Sequence, residues 1–289
     1  MLSFNNMYRQ FDEFSIGVDR GGTLTRVIAV SVNGEHLRET RFSTAAEISS
    51  FTETLSGIIK EWKAVKAPLA IASRGVMSVP EVRKSIISGM ENKASLKAVI
   101  SDAEAAHMSA FGGSNGILLI SGTGSVVLSG APGAYSMTGG KNPVSGDPGS
   151  GRWFGRRWLV RHGRLKENEY MDHAESAAYA RKLFEAAENC IKKGTAASDI
   201  EKFCFDTMQE GAEYLAGLLL HVSEGLHGLI KVAVAGGIMQ NIMYREMIIK
   251  AWNQIKTEDC LSFFSPSESA EEAAARLAYR LRDMPDLEA

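Results

Sequence analysis

The chain has 289 residues, 45% hydrophobic and 23% charged, an ordinary globular composition. Its length allows one large domain or two smaller ones, with a core that needs no disulfide or metal staple. With 32 basic and 34 acidic residues the net charge is −2, so no positive excess argues for nucleic acid or an anionic membrane as partner.

The N-terminal stretch, MLSFNNMYRQFDEF, has no apolar run preceded by basic residues and does not read as a signal peptide. Ile16–Asp19 reads as a strand and Thr25–Val32 as a second, rich in β-branched residues. Asn33-Gly34 is a strong hairpin signal, so His36–Phe42 should return antiparallel. Ser43-Thr44 with Glu47 predicts a capping box, followed by a helix with Ile48, Phe51, Leu55, Ile58, Ile59 and Trp62 at helical spacing. Pro68–Ala72 reads as a strand, Pro80 as the first turn of a helix reaching Met90, and Leu96–Ile100 as a strand with a helix after Ser101-Asp102. This half has the order β-β-β-α-β-α-β-α.

A similar unit then begins again. Gly116–Ser121 is a buried strand, Gly122-Thr123-Gly124 a tight turn and Ser125–Ser129 a second strand. Strand, glycine-threonine turn and strand thus occur twice, roughly 100 residues apart, as in a duplicated α/β unit and far beyond a solenoid period. The stretch GGKNPVSGDPGSGRWFG is dense in glycine, and helices are expected from Trp158 to about Gly225. Lys231–Ala235 is a strand ending at Gly236-Gly237, a helix starts near Asn241, Leu261–Phe264 is a strand and Ser269–Arg282 an alanine-rich helix. No linker separates the halves, so two domains sharing a cleft are expected. No segment approaches the ~20 apolar residues of a membrane span, and a cytoplasmic protein is expected. Cys190, Cys204 and Cys260 match no zinc pattern and read as reduced, buried thiols.

The turn Asp19-Arg20-Gly21-Gly22-Thr23 carries the first candidate chemistry. Glycines allow close backbone approach to a ligand, and successive N–H groups can cradle an anion. Asp19 is placed to hold a hydrated Mg²⁺, an ion that takes carboxylate and phosphate oxygens and keeps several waters. A plain hairpin with Asp19 capping backbone is the alternative. No G-K-[ST] follows, so the turn is not a P-loop. The second turn, alone, could be an ordinary glycine hairpin; paired with the first it can grip a triphosphate from the other side. Asp102, at the end of an apolar strand, can accept a proton from a substrate hydroxyl or cap the next helix. Gly236-Gly237 leaves room for an adenosine, or simply ends a strand.

Five motifs occur in the order of one family: Asp19-Arg20-Gly21-Gly22-Thr23, Ser101-Asp102-Ala103, Ser121-Gly122-Thr123-Gly124-Ser125, Gly146-Asp147-Pro148-Gly149-Ser150-Gly151 and Ala235-Gly236-Gly237. From about Phe14 to the last helix the chain resembles the BadF/BadG/BcrA/BcrD-type ATPases, and within them the N-acetylglucosamine kinase-like sugar kinases of the actin, Hsp70 and hexokinase superfamily. The resemblance implies an α/β fold of two ribonuclease H-like, actin-like ATPase domains with an interdomain cleft. The expected domains are 1–113 with 268–289, the last helix packing back on the first domain, and 114–267.

It also implies a kinase that uses ATP and Mg²⁺ on a small-molecule sugar. Asp102 would be the general base and touch the sugar, and Asp19 would hold the metal through water. Gly21, Gly22 and Thr23 would form the first phosphate loop and Gly122, Thr123 and Gly124 the second, with Thr123 also near the sugar. Gly236 and Gly237 would border the adenosine. Gly139, Gly140 and Asp147 would match the sugar loop, with Asp147 holding sugar hydroxyls. A homodimer is expected by analogy, with neither nucleic acid nor membrane as partner.

Departures bear on the substrate. The N-acetylglucosamine kinases carry Asn-Asp where Ser101-Asp102 stands, and an asparagine where Ala45 follows Ser43-Thr44. Their Gly-Gly-Trp-Gly becomes Gly139-Gly140-Lys141-Asn142, and their Gly-Asp-Glu-Gly-Ser becomes Gly146-Asp147-Pro148-Gly149-Ser150. The pocket loses an aromatic and an acid and gains Lys141. Arg74 follows a strand end where small residues are usual, and arginine pairs bidentately with carboxylates. An acidic sugar such as 2-keto-3-deoxygluconate, met by Arg74 or Lys141, therefore stands beside an amino sugar or hexose; both cations can equally be surface charges. The rivals are an activator-type ATPase coupled to electron transfer, whose cysteine set the three here do not resemble, and a non-catalytic sugar sensor. About 14 residues before the first strand are too few for a DNA-binding helix-turn-helix.

Overall fold

The structure is a computed structural model that describes residues 14–288, except 23, 143–145, 168, 170 and 172. Thr23 of the first turn, and the N-terminal stretch read for a signal, lie outside the described residues. The elements are β1 Phe14–Arg20, β2 Leu24–Ser31, β3 His36–Ser43, α1 Ile48–Glu61, β4 Pro68–Ser73, α2 Pro80–Met90, β5 Ser95–Ile100 and α3 Asp102–Phe111. There follow β6 Gly116–Ser121, β7 Ser125–Gly130, β8 Ser136–Gly139, α4 Gly151–Arg161, α5 His173–Lys193, α6 Asp199–Val222, β9 Leu229–Ala235, α7 Ile242–Ile255, β10 Cys260–Phe264 and α8 Ala270–Arg280. They divide into two compact units, Met1–Gly112 with Ser267–Ala289, and Gly113–Pro266.

In the first unit the described strands form a sheet in the order β3-β2-β1-β4-β5. β1, β2 and β3 are antiparallel, whereas β4 and β5 run parallel to β1. Strand side chains alternate between faces, and this sheet uses the alternation to build two unlike layers. Phe14, Ile16 and Val18 of β1 join Phe51, Leu55 and Ile59 of α1 and Ile86 and Met90 of α2 in a large apolar core. Ser15 and Gly17 face α8, where Ser15 Oγ donates to the Ala275 carbonyl at 2.7 Å. A Cβ on Gly17 would lie 1.8 Å from the Glu271 carbonyl oxygen. Ala70 and Ala98 meet Ala274 and Ala278 on that side. Small residues on both surfaces let α8 approach the sheet closely.

The second unit repeats the plan. Its described strands take the order β10-β9-β6-β7-β8, with β6, β7 and β8 antiparallel and β9 and β10 parallel to β6. Strand by strand, this is the arrangement of the first sheet. Leu119, Val127, Phe154, Phe184, Leu215, Tyr244 and Trp252 form its core.

Two boundaries differ from the sequence reading. Ser43 still pairs with Leu24 as the end of β3, and Thr44 Oγ1 lies 2.9 Å from Thr25 Oγ1. The first helix therefore starts at Ile48, with Glu47 as an N-cap lacking a side-chain bond. The middle helical region starts at Gly151 instead of Trp158, capped by the Ser150 side chain, which accepts from the Trp153 N–H. Of the cysteines, Cys204 is buried, Cys190 half-buried and Cys260 exposed, so the expectation of three buried thiols holds for one. Among the described residues, no helix is long and apolar enough to cross a membrane.

Candidate active site

In the first unit β1, β4 and β5 end side by side. Asp19 is opposite Ala72, Arg20 opposite Ser73, and Ala72 opposite Ile100. The chain leaves these ends as Gly21-Gly22, Arg74 and Asp102, so residues far apart in sequence meet beyond the carboxyl ends of parallel strands, where open α/β sheets bind ligands. A Cβ on Gly22 would lie 3.3 Å from Arg74 Nη1, and the Arg74 amide donates to the Arg20 carbonyl at 3.2 Å.

Asp19 points toward α8. Its Oδ2 accepts from Arg26 Nη1 at 3.3 Å, but the arginine side chain is 49% exposed, and such surface pairs are weak. Burial, then the charges of Glu271 and Asp102, push the Asp19 carboxyl up to about 6. A divalent cation would relieve that repulsion, and the oxygen chemistry of the site fits a Mg²⁺ shared between one carboxylate and phosphate oxygens. Among the described residues no three His, Cys, Asp or Glu gather to hold a metal by themselves.

Asp102 is the first residue of α3. Ser101 is the N-cap: its side chain accepts from the Glu104 N–H at 3.1 Å, and Glu104 Oε2 accepts from the Ser101 N–H at 2.7 Å. The cap offered as Asp102's alternative role thus belongs to its neighbour. Asp102 Oδ1 accepts from the Ala103 N–H at 3.0 Å. Burial raises its pKa, opposed by that bond and by Arg74. The result is a shielded carboxyl with raised proton affinity, suited to proton transfer.

Arg20 was not singled out in the sequence, although the alternation of β1 points it inward with Ile16 and Val18. It is 3% exposed. Nη2 donates to the Ala45 carbonyl at 2.9 Å, Nη1 to Ser73 Oγ at 3.3 Å, and the guanidinium lies 5.3 Å from the Phe51 ring centre. Burial and the nearby Arg74 lower its pKa. Among the described residues no carboxylate lies within 4.0 Å of the Arg20 or Arg74 guanidinium. Glu271 was missed too; no local pattern in the sequence relates it to Asp19.

The second unit gathers four loops. A Cβ on Gly236, at φ +94°, would lie 2.3 Å from the Ser121 carbonyl oxygen, and one on Gly122 would lie 3.7 Å from the Gly236 Cα. Gly236 is therefore required by close backbone approach. The Gly122 carbonyl accepts from the Gly151 N–H at 2.7 Å and the Thr123 carbonyl from the Arg152 N–H at 3.3 Å, tying the turn to the start of α4. Ser121 Oγ donates to the Gly149 carbonyl at 2.7 Å. Gly139 and Gly140 take φ of +88° and +67°, a region that favours glycine. The buried Asp147 Oδ1 accepts from the Lys141 and Asn142 N–H groups at 2.9 and 3.2 Å. Asp147 thus shapes the Gly139–Asn142 loop, on which Lys141 is exposed. The residues expected to act together fall into two groups, Asp19, Gly21, Gly22, Arg74 and Asp102 in one unit and Gly122, Thr123, Gly124, Gly139, Gly140, Lys141, Asp147, Gly236 and Gly237 in the other.

No protein-family model matches the sequence, and no curated protein matches it. Solved structures do resemble the fold. One is a candidate N-acetylglucosamine kinase from Chromobacterium violaceum, with a TM-score of 0.66 and 19% identity, the match covering 92% of this chain and 99% of that one. The hexokinase of Schistosoma mansoni in complex with glucose has a TM-score of 0.61 at 13% identity, covering 94% and 86%. A ROK-family glucokinase from Streptomyces griseus in complex with glucose and AMPPNP has a TM-score of 0.55 at 16% identity, covering 92% and 99%. At these identities the likeness speaks for architecture: the chain has the two-domain actin-like ATPase fold shared by hexokinase and ROK sugar kinases.

Proposed function

We propose that the chain is an ATP-dependent sugar kinase of the N-acetylglucosamine kinase-like, BadF/BadG type. The observation that carries this reading is the convergence of Asp19, Arg74 and Asp102 beyond one sheet end, with both carboxyls raised in pKa. Kinases of the same fold carry glucose, and in one case AMPPNP as well, in their solved structures. Asp102 takes the proton of the acceptor hydroxyl as that oxygen attacks the γ-phosphorus. Asp19 would hold Mg²⁺, which neutralises charge on the transferring phosphoryl group. Gly21 and Gly122 close their own turns by donating to the Leu24 and Gly124 carbonyls, leaving the Gly22, Thr123 and Gly124 N–H groups for phosphate oxygens; Thr23 and Thr123 add hydroxyls, and Gly236-Gly237 borders the adenosine. Gly139, Gly140 and Lys141 line the sugar loop that Asp147 holds in shape.

The acceptor in this reading is an acidic sugar. Two neighbouring guanidiniums, one of them buried, have no carboxylate within 4.0 Å among the described residues, and Arg74 lies near enough to Asp102 to influence its titration. A carboxylate close to the reacting hydroxyl supplies the missing counter-charge. An activator ATPase with an iron–sulfur cluster fits less well, because burial pushes the Cys204 thiol up to about 12 and cluster ligands are thiolates. The test is ADP release at saturating ATP across neutral hexoses, hexosamines, aldonic acids and 2-keto-3-deoxy acids. Turnover of the acids is expected. Turnover of neutral sugars alone removes the acidic substrate, and turnover of none removes the kinase.

A further inference from the structure

The second unit contains a separate cavity that this reading does not use. It has a volume of about 530 Å³ and is lined by Trp153, Arg156, Arg157, Val160, Arg161, Glu167 and Phe203, within the size range of small-molecule sites. Five of these residues stand on α4 at positions 153, 156, 157, 160 and 161. That is the i, i+3, i+4, i+7, i+8 spacing which normally forms the apolar stripe of a helix against a core. Here three of the five are arginines.

Arg156 is held away from solvent, whereas the Arg157 side chain is 41% exposed and Arg161 is exposed. Arg156, 4% exposed, donates through Nη1 and Nη2 to the backbone carbonyls of Glu169 and Glu167 at 2.5 and 2.7 Å. Arg157 lies 5.2 Å from the Trp153 ring centre and 5.7 Å from that of Phe203, and pairs with Glu210 at 2.6 Å. Arg161 lies 5.2 Å from the Phe203 ring. Among the described residues no carboxylate lies within 4.0 Å of the Arg156 or Arg161 guanidinium. For the buried Arg156 the lack of a counter-ion is unfavourable, and the planar guanidiniums of Arg157 and Arg161, set beside aromatic faces and open to solvent, match tetrahedral oxyanions bidentately.

We propose that this cavity binds a small phosphomonoester dianion, with Arg161 and Arg157 as the principal contacts and Arg156 supplying buried positive charge. The aromatic faces are already covered by arginine, so the ligand is selected by charge and size, with no flat ring required. The site is independent of the proposed kinase reaction.

The test is titration of the full-length protein with inorganic phosphate and with glucose 6-phosphate, read by isothermal calorimetry, with potassium chloride of matched ionic strength as control. Saturable binding of the sugar phosphate is expected, weakened at least tenfold in Arg161→Ala and partly restored in Arg161→Lys. Glu210→Gln frees Arg157 from its carboxylate and should tighten binding several-fold, an effect that loss of folding cannot imitate. Asp102→Asn should leave this binding unchanged, which separates the site from the reaction centre. No saturable binding up to about 10 mM, or binding indifferent to both the Arg161 and the Glu210 substitutions, overturns the proposal.

Discussion

Replacing Asp19 by asparagine should stabilise the protein while removing the proposed metal carboxylate. The folded carboxyl titrates at about 6 against a reference of 3.8. Because the folded-state pKa is raised, the folded form holds a proton that the unfolded form has released, so stability falls as pH rises through this interval. At roughly 1.4 kcal/mol per unit, a shift of about two units costs about 3 kcal/mol above pH 6, about half of that near pH 5 and little at pH 4. Asparagine removes this cost and forfeits only the Arg26 pair, worth about 0–1 kcal/mol. A net gain of about 2 kcal/mol corresponds to a rise in Tm on the order of 4–8 °C. The assay is thermal unfolding of both proteins from pH 4 to pH 8 without nucleotide. The gap between variant and parent should be largest at pH 7–8 and close toward pH 4. Equal Tm at pH 8, or a gap independent of pH, refutes the argument that Asp19 is strained by burial and by Glu271. Adding ATP and Mg²⁺ should then raise the Tm of the parent by linkage, and that of the variant less.

Three further substitutions test the scaffold. Ser101→Ala removes the side-chain half of the α3 capping box, the acceptor of the Glu104 N–H, and should cost about 1 kcal/mol, seen as a lower urea midpoint. Gly17→Ala puts a Cβ 1.8 Å from the Glu271 carbonyl oxygen; overpacking of this kind costs about 1–3 kcal/mol, and an unchanged midpoint would contradict the close seating of α8. Gly236→Ala combines a left-handed φ with a 2.3 Å approach to Ser121. It should weaken nucleotide affinity more than sugar affinity, measured by calorimetry.

Much of the architecture was legible because local chemistry and tertiary demand agreed. Asn33-Gly34 fixes the β2–β3 turn, with Gly34 at φ +84°, and Phe51, Leu55 and Ile59 keep helical spacing because they face one core. The start of α1 was misread because β3, HLRETRFS, is mostly exposed and shows little alternation, so a local capping pattern outweighed strand pairing that only the sheet reveals. The start of α4 was hidden by glycines that serve packing: a Cβ on Gly155 would lie 1.8 Å from the Ser176 carbonyl oxygen, an approach no local signal announces. In the candidate site, Asp19 and Asp102 stood out as carboxylates at strand ends. Their electrostatic coupling did not, because it depends on strand order and on Glu271 arriving from the far end of the chain. Ser101-x-x-Glu104 was readable as a capping box and would have removed the capping role from Asp102.

The central claim, a sugar hydroxyl deprotonated by Asp102 during phosphoryl transfer, is tested most directly by sugar-dependent ADP formation in the parent and in Asp102→Asn. The account predicts that the variant binds ATP with little change while kcat falls about 10²- to 10⁴-fold. It also predicts that the acid limb of the parent's kcat profile lies above the ordinary carboxylate range, as the raised Asp102 pKa requires. A variant that retains full kcat on the best sugar would contradict it.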